Sequence, residues 1–151
     1  RLIAEVLLDA VDSACGTRTR FGRMSKSARA VDLPHEGFGS YFLDVFDRPT
    51  RSSPCECARG NGASLTAVLH LANSDEGENK IADDKGRVAR LAKKEAAEAV
   101  EELYLATLSR RPTAGETRKA KAHLAKAEDA RKGLEDLLWA LLNSREFLFN
   151  H

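Results

Sequence analysis

The shortages in this chain set the first limits on what it is. It contains no run of about 18 apolar residues, so no segment reads as a membrane span. It carries almost no net charge, since 24 Lys+Arg meet 23 Asp+Glu and leave +1. Dedicated nucleic-acid binders are usually strongly basic, so no nucleic-acid partner is expected. Aromatic residues make up only 6%, with one Trp and two Tyr. Val and Ile are also few while Ala is abundant, a balance that favours helix over sheet. The cysteines number three, Cys15, Cys55 and Cys57, and an odd number cannot close a complete disulfide framework within the chain. A signal-peptide pattern, a G-x-S-x-G elbow, a P-loop lysine motif and a C-x-x-C-H haem string are all missing. No cofactor is therefore expected.

What is present is 151 residues, enough for one domain that hides roughly 70% of its unfolded surface. The reading is a single helical domain over 1–151. Residues 1–15 place Ile3, Val6, Leu7, Ala10, Val11 and Ala14 on one helix face, and Gly16 supplies a left-handed stop. Helix is already legible at Arg1 with no N-cap ahead of it, so the chain is expected to be a fragment of a longer protein.

Residues 17–37 carry Arg18, Arg20, Arg23, Lys26 and Arg29 with no acid before Asp32. Their apolar residues show no period, so a loop or short irregular strands are expected. A basic loop of this kind could touch an anion, but a solvated connection is the plainer reading. Residues 38–48 look like a short helix or compact turn ended by Pro49, with Ser40 as the candidate cap and Tyr41, Phe42, Val45 and Phe46 as an aromatic anchor. A loop follows over 50–63, punctuated by Pro54, Gly60, Asn61 and Gly62. Ser64 then caps a helix through LTAVLHLANS. Residues 75–86 read as polar and end in the turn-like Asp83-Asp84-Lys85-Gly86, and RVARLAKK reads as a short amphipathic stretch.

The last third has the clearest pattern. Residues 95–110 put Ala96, Val100, Leu103, Tyr104 and Thr107 or Leu108 on one face, with acids early and Arg110 and Arg111 late, which suits the helix macrodipole. Pro112 ends that helix, and Thr113 to Glu116 is a capping box for a basic, Ala-rich helix over 116–128. Residues 131–149 hold Leu134, Leu137, Leu138, Leu141 and Leu142 beside Trp139 and are expected as one core helix. The sum is an all-α, irregular bundle of about six or seven helices, with a long structured loop region near 17–62.

Site chemistry is thin. Cys55-Glu56-Cys57 is the pair that hints at it, because thiolates are soft metal ligands. A structural zinc site needs four ligands, usually from paired C-x2-4-C units. Here Cys15 is distant in sequence and His70, 13 residues past Cys57, is the candidate third ligand. Three readings stand for Cys15, Cys55, Cys57 and His70: buried free thiols, a disulfide between Cys15 and one of the pair, or a metal site. Glu101-Glu102, Asp83-Asp84 and Glu135-Asp136 are paired carboxylates on polar faces or turns, so no acid/base site and no catalytic residue is assigned. Gly60-Asn61-Gly62 reads as a turn rather than an anion nest.

Several strings carry a resemblance. LPHEGFGSYFLDVFDRPTRSSPCECAR, LTAVLHLANS, DDKGRVARL, EELYLATLSRRPTAGE and LEDLLWALLNSREFLFNH, in this order, resemble the C-terminal half of the planctomycete-type domain of unknown function fifteen fifty-three. The opening AEVLLDAV is similar to the same family's upstream helix. The 58–63 stretch ARGNGA departs from the family's shorter, more acidic loop. The resemblance implies a large exported protein, periplasmic or at the cell surface. It also implies a companion domain, fifteen forty-nine, upstream, and cytochrome-c-like or immunoglobulin-like neighbours. An exported location raises the disulfide reading for Cys15, Cys55 and Cys57.

The expected function is a structural or interaction module. Its partners would be the upstream domain of the same polypeptide and other cell-surface proteins. The alternative is an accessory domain of an extracellular redox or polysaccharide-degrading enzyme, with an active site shared with that upstream domain. A third reading is ligand binding by the 17–30 loop.

Overall fold

The computed structural model describes residues 2–22, 24–25, 27–34, 38, 40–46 and 75–149. The described residues form eight α-helices and one 3-10 turn, with no strand among them. The protein is all-α, and the count exceeds the six or seven helices expected from sequence. No described helix is long and apolar enough to cross a membrane.

Helix α1, Ala4–Cys15, ends where Gly16 takes φ 69°, the left-handed stop its position calls for. A side chain at Gly16 would also meet Arg90 Nη2 at 2.9 Å. The helix begins later than the periodicity predicts. Ile3 is extended at φ −70°, ψ 157°, and the Leu2 N–H donates to the Leu148 carbonyl. The first residues are therefore drawn to the far end of the sequence instead of extending α1. The buried face of α1 is also rotated from the expected one. It comprises Ala4, Leu7, Leu8, Val11, Ala14 and Cys15, together with the acids Glu5 and Asp12, while Ile3 is 43% exposed.

After α1 the chain runs irregularly to the 3-10 turn Ala30–Asp32. Helix α2, Tyr41–Val45, is capped by Ser40, whose hydroxyl accepts the Leu43 N–H. Phe42 and Phe46 are buried and stacked with ring centroids 4.4 Å apart, so the expected aromatic anchor exists. Tyr41 is its exposed member.

Helix α3, Asp75–Ile81, lies where only a polar stretch is expected. Only Ile81 is buried, so no apolar stripe marks it. Acids crowd its first turn and Lys80 its last, the placement the macrodipole favours. Helix α4 spans Arg87–Leu91. Helix α5, Ala96–Leu108, buries Ala99, Val100, Leu103, Tyr104 and Thr107, close to the expected face, with Ala96 outside it. Helix α6, Ala114–Leu124, opens on the predicted capping box. Thr113 Oγ1 accepts the Glu116 N–H and Glu116 accepts the Thr113 N–H at 2.7 Å.

Helix α7, Ala130–Leu142, is capped by Asp129 and buries Leu134, Leu138, Leu141 and Leu142. It stops at Asn143, and α8 runs over Arg145–Phe149. The single helix expected over 131–149 is therefore two. Ser144 Oγ accepts the Phe147 N–H, which caps the second helix and fixes the break. Helices α1, α5 and α7 form the centre. α5 packs on α1, α6, α7 and α8, while α7 also packs on α3, α4 and α6. Gly133 permits the α6–α7 contact, since an added Cβ would sit 2.8 Å from Leu124 Cδ2 and 2.9 Å from Ala127 Cβ.

Candidate functional site

Two acids one turn apart on α1 organise the polar side of the molecule. Asp9 faces the 3-10 turn. Its carboxylate accepts the Ala30 N–H at 2.7 Å and the Val31 N–H at 3.3 Å, and Arg29 Nε lies 3.4 Å away. Asp12 is 8% exposed. It accepts the Thr19 N–H at 2.7 Å and the Thr17 hydroxyl at 3.4 Å, and it pairs with Lys80 from α3. Lys80 also donates to Thr19 Oγ1 at 2.6 Å. Each carboxylate has donors on both oxygens, as a desolvated charge requires.

A cleft of about 220 Å³ opens beside these acids, lined by Asp9, Asp12, Ser13, Thr17, Arg18 and Arg29. It belongs to the basic loop singled out in the sequence. The loop is not simply solvated: Arg18 donates to the Ser27 carbonyl at 2.7 Å, and the α1 acids hold its backbone. A reading of α1 as a plain amphipathic helix misses Asp9 and Asp12. The available signal is the pair of acids ahead of a cation-rich loop, which invites cross-pairing.

A second charge cluster joins the strings SRRPTAGE and NSREF. Arg110 donates to both oxygens of Glu116 at 2.8 and 2.9 Å, and to both oxygens of Glu146 at 2.6 and 2.8 Å. Its guanidinium carbon lies 5.6 Å from the Tyr104 ring centroid. The Arg110 bonds, followed by the Thr113 N–H, pull the Glu116 carboxyl down to about 2. Arg110 likewise holds the Glu146 carboxyl below its ordinary range. This bidentate arrangement orients α5, α6 and α8 against one another.

The paired carboxylates of the sequence are engaged in the same way. Glu102 binds Arg87 and Lys94, Glu101 binds Arg111, Asp84 and Glu135 bind Arg131, and Asp136 faces His123. Arg87 also donates to the Ala14 and Ser13 carbonyls, closing the C-terminal end of α1. Glu5 differs. It is 6% exposed and its Oε2 has no hydrogen-bond partner among the described residues. Its place in the first turn of α1 puts it where the helix dipole favours an anion.

Of the candidate ligand residues, Cys15 is a free thiol at 1% exposure. Burial pushes it up to about 12, with Lys80 acting weakly in the opposite direction. In this setting it stays protonated at neutral pH and packs as a small apolar side chain. Cys55, Cys57 and His70 lie outside the described residues, as do the expected Gly60-Asn61-Gly62 turn and the LTAVLHLANS helix. Among the described residues no group of three or more His, Cys, Asp or Glu side chains could hold a metal ion.

A third feature is apolar. A groove of about 290 Å³ lies between α6 and the facing ends of α4, α5 and α7, with Leu91, Ala99, Leu124, Ala127 and Leu134 on its walls and Lys121 on its rim. No family model, curated protein or solved structure matches the chain.

Proposed function

We propose that this chain is a structural and interaction module of an exported, multi-domain bacterial surface protein of the planctomycete-type family fifteen fifty-three. Its partners are the domain upstream of it in the same polypeptide and other cell-surface proteins. The observation that carries this reading is the engagement of Asp9 and Asp12. They are acids beside the polar cleft, and they accept from backbone N–H groups, hydroxyls and cations that belong to the fold. Such groups act as ties between elements, not as acids or bases facing a substrate. The accessory-enzyme alternative gains no reactive group from this cleft. Large apolar side chains supply contact material at the surface: Ile3, Leu105 and Trp139 are 43%, 44% and 42% exposed.

Hydrogen–deuterium exchange of this chain, alone and joined to the sequence that precedes it in its gene, tests the reading. Added protection at exposed faces of the bundle is expected. Unchanged exchange throughout, together with an unchanged thermal midpoint, would refute it.

A further inference from the structure

Helix α8 is held differently from the helices before it. Five residues are too few for a helix to persist alone in water, so Arg145–Phe149 is helical only while docked. It packs on α5 and α7, and the capped break over Asn143 and Ser144 separates it from α7. Three contacts dock it. Phe147 is buried at 6% exposure. Glu146 takes two bonds from Arg110, with both side chains 35% exposed. The Leu148 carbonyl accepts the Leu2 N–H at 3.3 Å. Among the described residues, this last contact is the one backbone–backbone bond outside the helices that joins residues more than five positions apart. Leu2 and Leu148 are half-buried and pack against the same core.

We propose that α8 and the approach to α1 form a clasp that opens as one unit while the bundle of α1, α5 and α7 stays folded. Release of α8 takes away the acceptor of the Leu2 N–H. That donor has no helical alternative, because Ile3 is extended and α1 starts at Ala4. The start of α1 therefore loosens with α8. Lifting Leu2 in turn removes one of the three contacts on a helix that cannot stand alone. The bundle does not need the clasp: α7 keeps its Asp129 cap and its packing on α3, α4, α5 and α6. Nor does opening strand a cation, since Arg110 retains both oxygens of Glu116. The pair that breaks is partly exposed, so its loss costs little. The two segments share one equilibrium, so whatever binds either of them in one state shifts the other by the same factor. This coupling is independent of the interaction-module reading and stands or falls separately.

Native-state hydrogen exchange of the full chain, followed amide by amide by NMR and converted to opening constants, tests the clasp. The amides of Leu2, Leu7 and Leu148 donate to Leu148, Ile3 and Ser144 respectively. They should share one opening constant within about threefold, roughly a hundredfold or more above that of Leu138 in the centre of α7. Glu146→Ala should raise all three constants together, by about two- to fivefold, the scale of a partly exposed ion pair. Phe147→Ala should raise them together by about tenfold or more. Circular dichroism confirms that each variant is folded, and the milder Glu146→Ala carries the test if Phe147→Ala does not fold. Glu101→Ala removes an exposed pair with Arg111, outside the clasp, and should leave the three constants unchanged. A rise at Leu148 without Leu2 and Leu7 would overturn the proposal, because α8 would then fray alone. One constant shared with Leu138 would also overturn it, because the whole molecule would be opening. An equal rise in Glu101→Ala would assign the effect to general loosening and overturn it too.

Discussion

The C-terminal helices α5 to α8 and the N-terminal region of α1 with its basic loop are stabilised by different physics. In α5 and α7 the apolar stripes are regular, and each helix start from α5 to α8 carries its own cap: Glu95, Thr113, Asp129 and Ser144. Local sequence and tertiary packing agree there, which is how a sequence specifies one structure economically. The N-terminal region lacks that agreement. Its loop has no hydrophobic period, and α1 buries two acids on its core side. Order comes from Asp9 and Asp12 reaching backbone N–H groups that have no helix or sheet to satisfy them. One half is held by patterned burial and the other by charged anchors, so the two should respond differently to substitution.

The largest expected effect tests the charged anchors. Asp12→Ala leaves Lys80, whose side chain is only 11% exposed, with only Glu76 at 3.9 Å as a carboxylate, and the Thr19 N–H without its acceptor. A loss of about 3 kcal/mol is expected in urea denaturation, because a half-removed buried pair leaves an uncompensated charge. Asp12→Leu with Lys80→Met should recover most of that loss. A cost below about 1 kcal/mol for Asp12→Ala would erase the contrast and assign the loop to ordinary apolar packing.

The next effect probes the patterned half. Gly133→Ala forces a methyl group against Leu124 and Ala127, where the Ala127 Cβ cannot rotate away. A loss of about 1–3 kcal/mol is expected, typical of overpacking, with the α6 amides losing exchange protection before those of α1. Equal loss of protection in both would show that the two regions unfold as one unit.

The pH dependence is smaller and is assigned to the Arg110 cluster. The folded-state pKa of Glu116 is depressed, to about 2, so its contribution is present above the ordinary carboxylate range and lost as pH falls towards 2. Glu146 is shifted in the same direction. The thermal midpoint should therefore decline between about pH 4.5 and pH 2, and more steeply in the wild type than in Arg110→Met. The partners are about a third exposed, so solvent screening keeps the effect modest. Parallel declines in the two proteins would remove Arg110 as the cause.

The smallest effect is a reactivity and not a stability. Cys15 is buried with its thiol pushed up to about 12, so maleimide should label it only in denaturant. Rapid labelling of the native chain at Cys15, mapped by mass spectrometry, would mean that α1 opens more readily than its packing implies.

Where the sequence was informative, the physical reason is locality. The Gly16 stop, the Ser40 cap, the Thr113–Glu116 box and the leucines of α7 are each set by residues within one or two turns. What was missed depends on distant partners. Helix α3 has one buried residue and is held by Lys80 on Asp12, a contact 68 residues long in sequence. Leu2 joins Leu148 instead of extending α1. The break at Asn143 needed the Ser144 cap and the docking of α8. Of the candidate site residues, Cys15 takes the buried free-thiol reading, one of three the sequence left open, while the role of the α1 acids depended on which loop folded over them.

The sequence by itself determined the helical class, several helix ends and the near-neutral charge, because propensity, capping and composition act within a few residues. Only the tertiary structure decided which charges were consumed. It set Asp12 of α1 against Lys80 of α3 and Glu102 of α5 against Arg87 of α4, and buried Glu5 without a cation among the described residues. Net charge sums over the whole chain, whereas recognition depends on which charges remain together at one surface after folding.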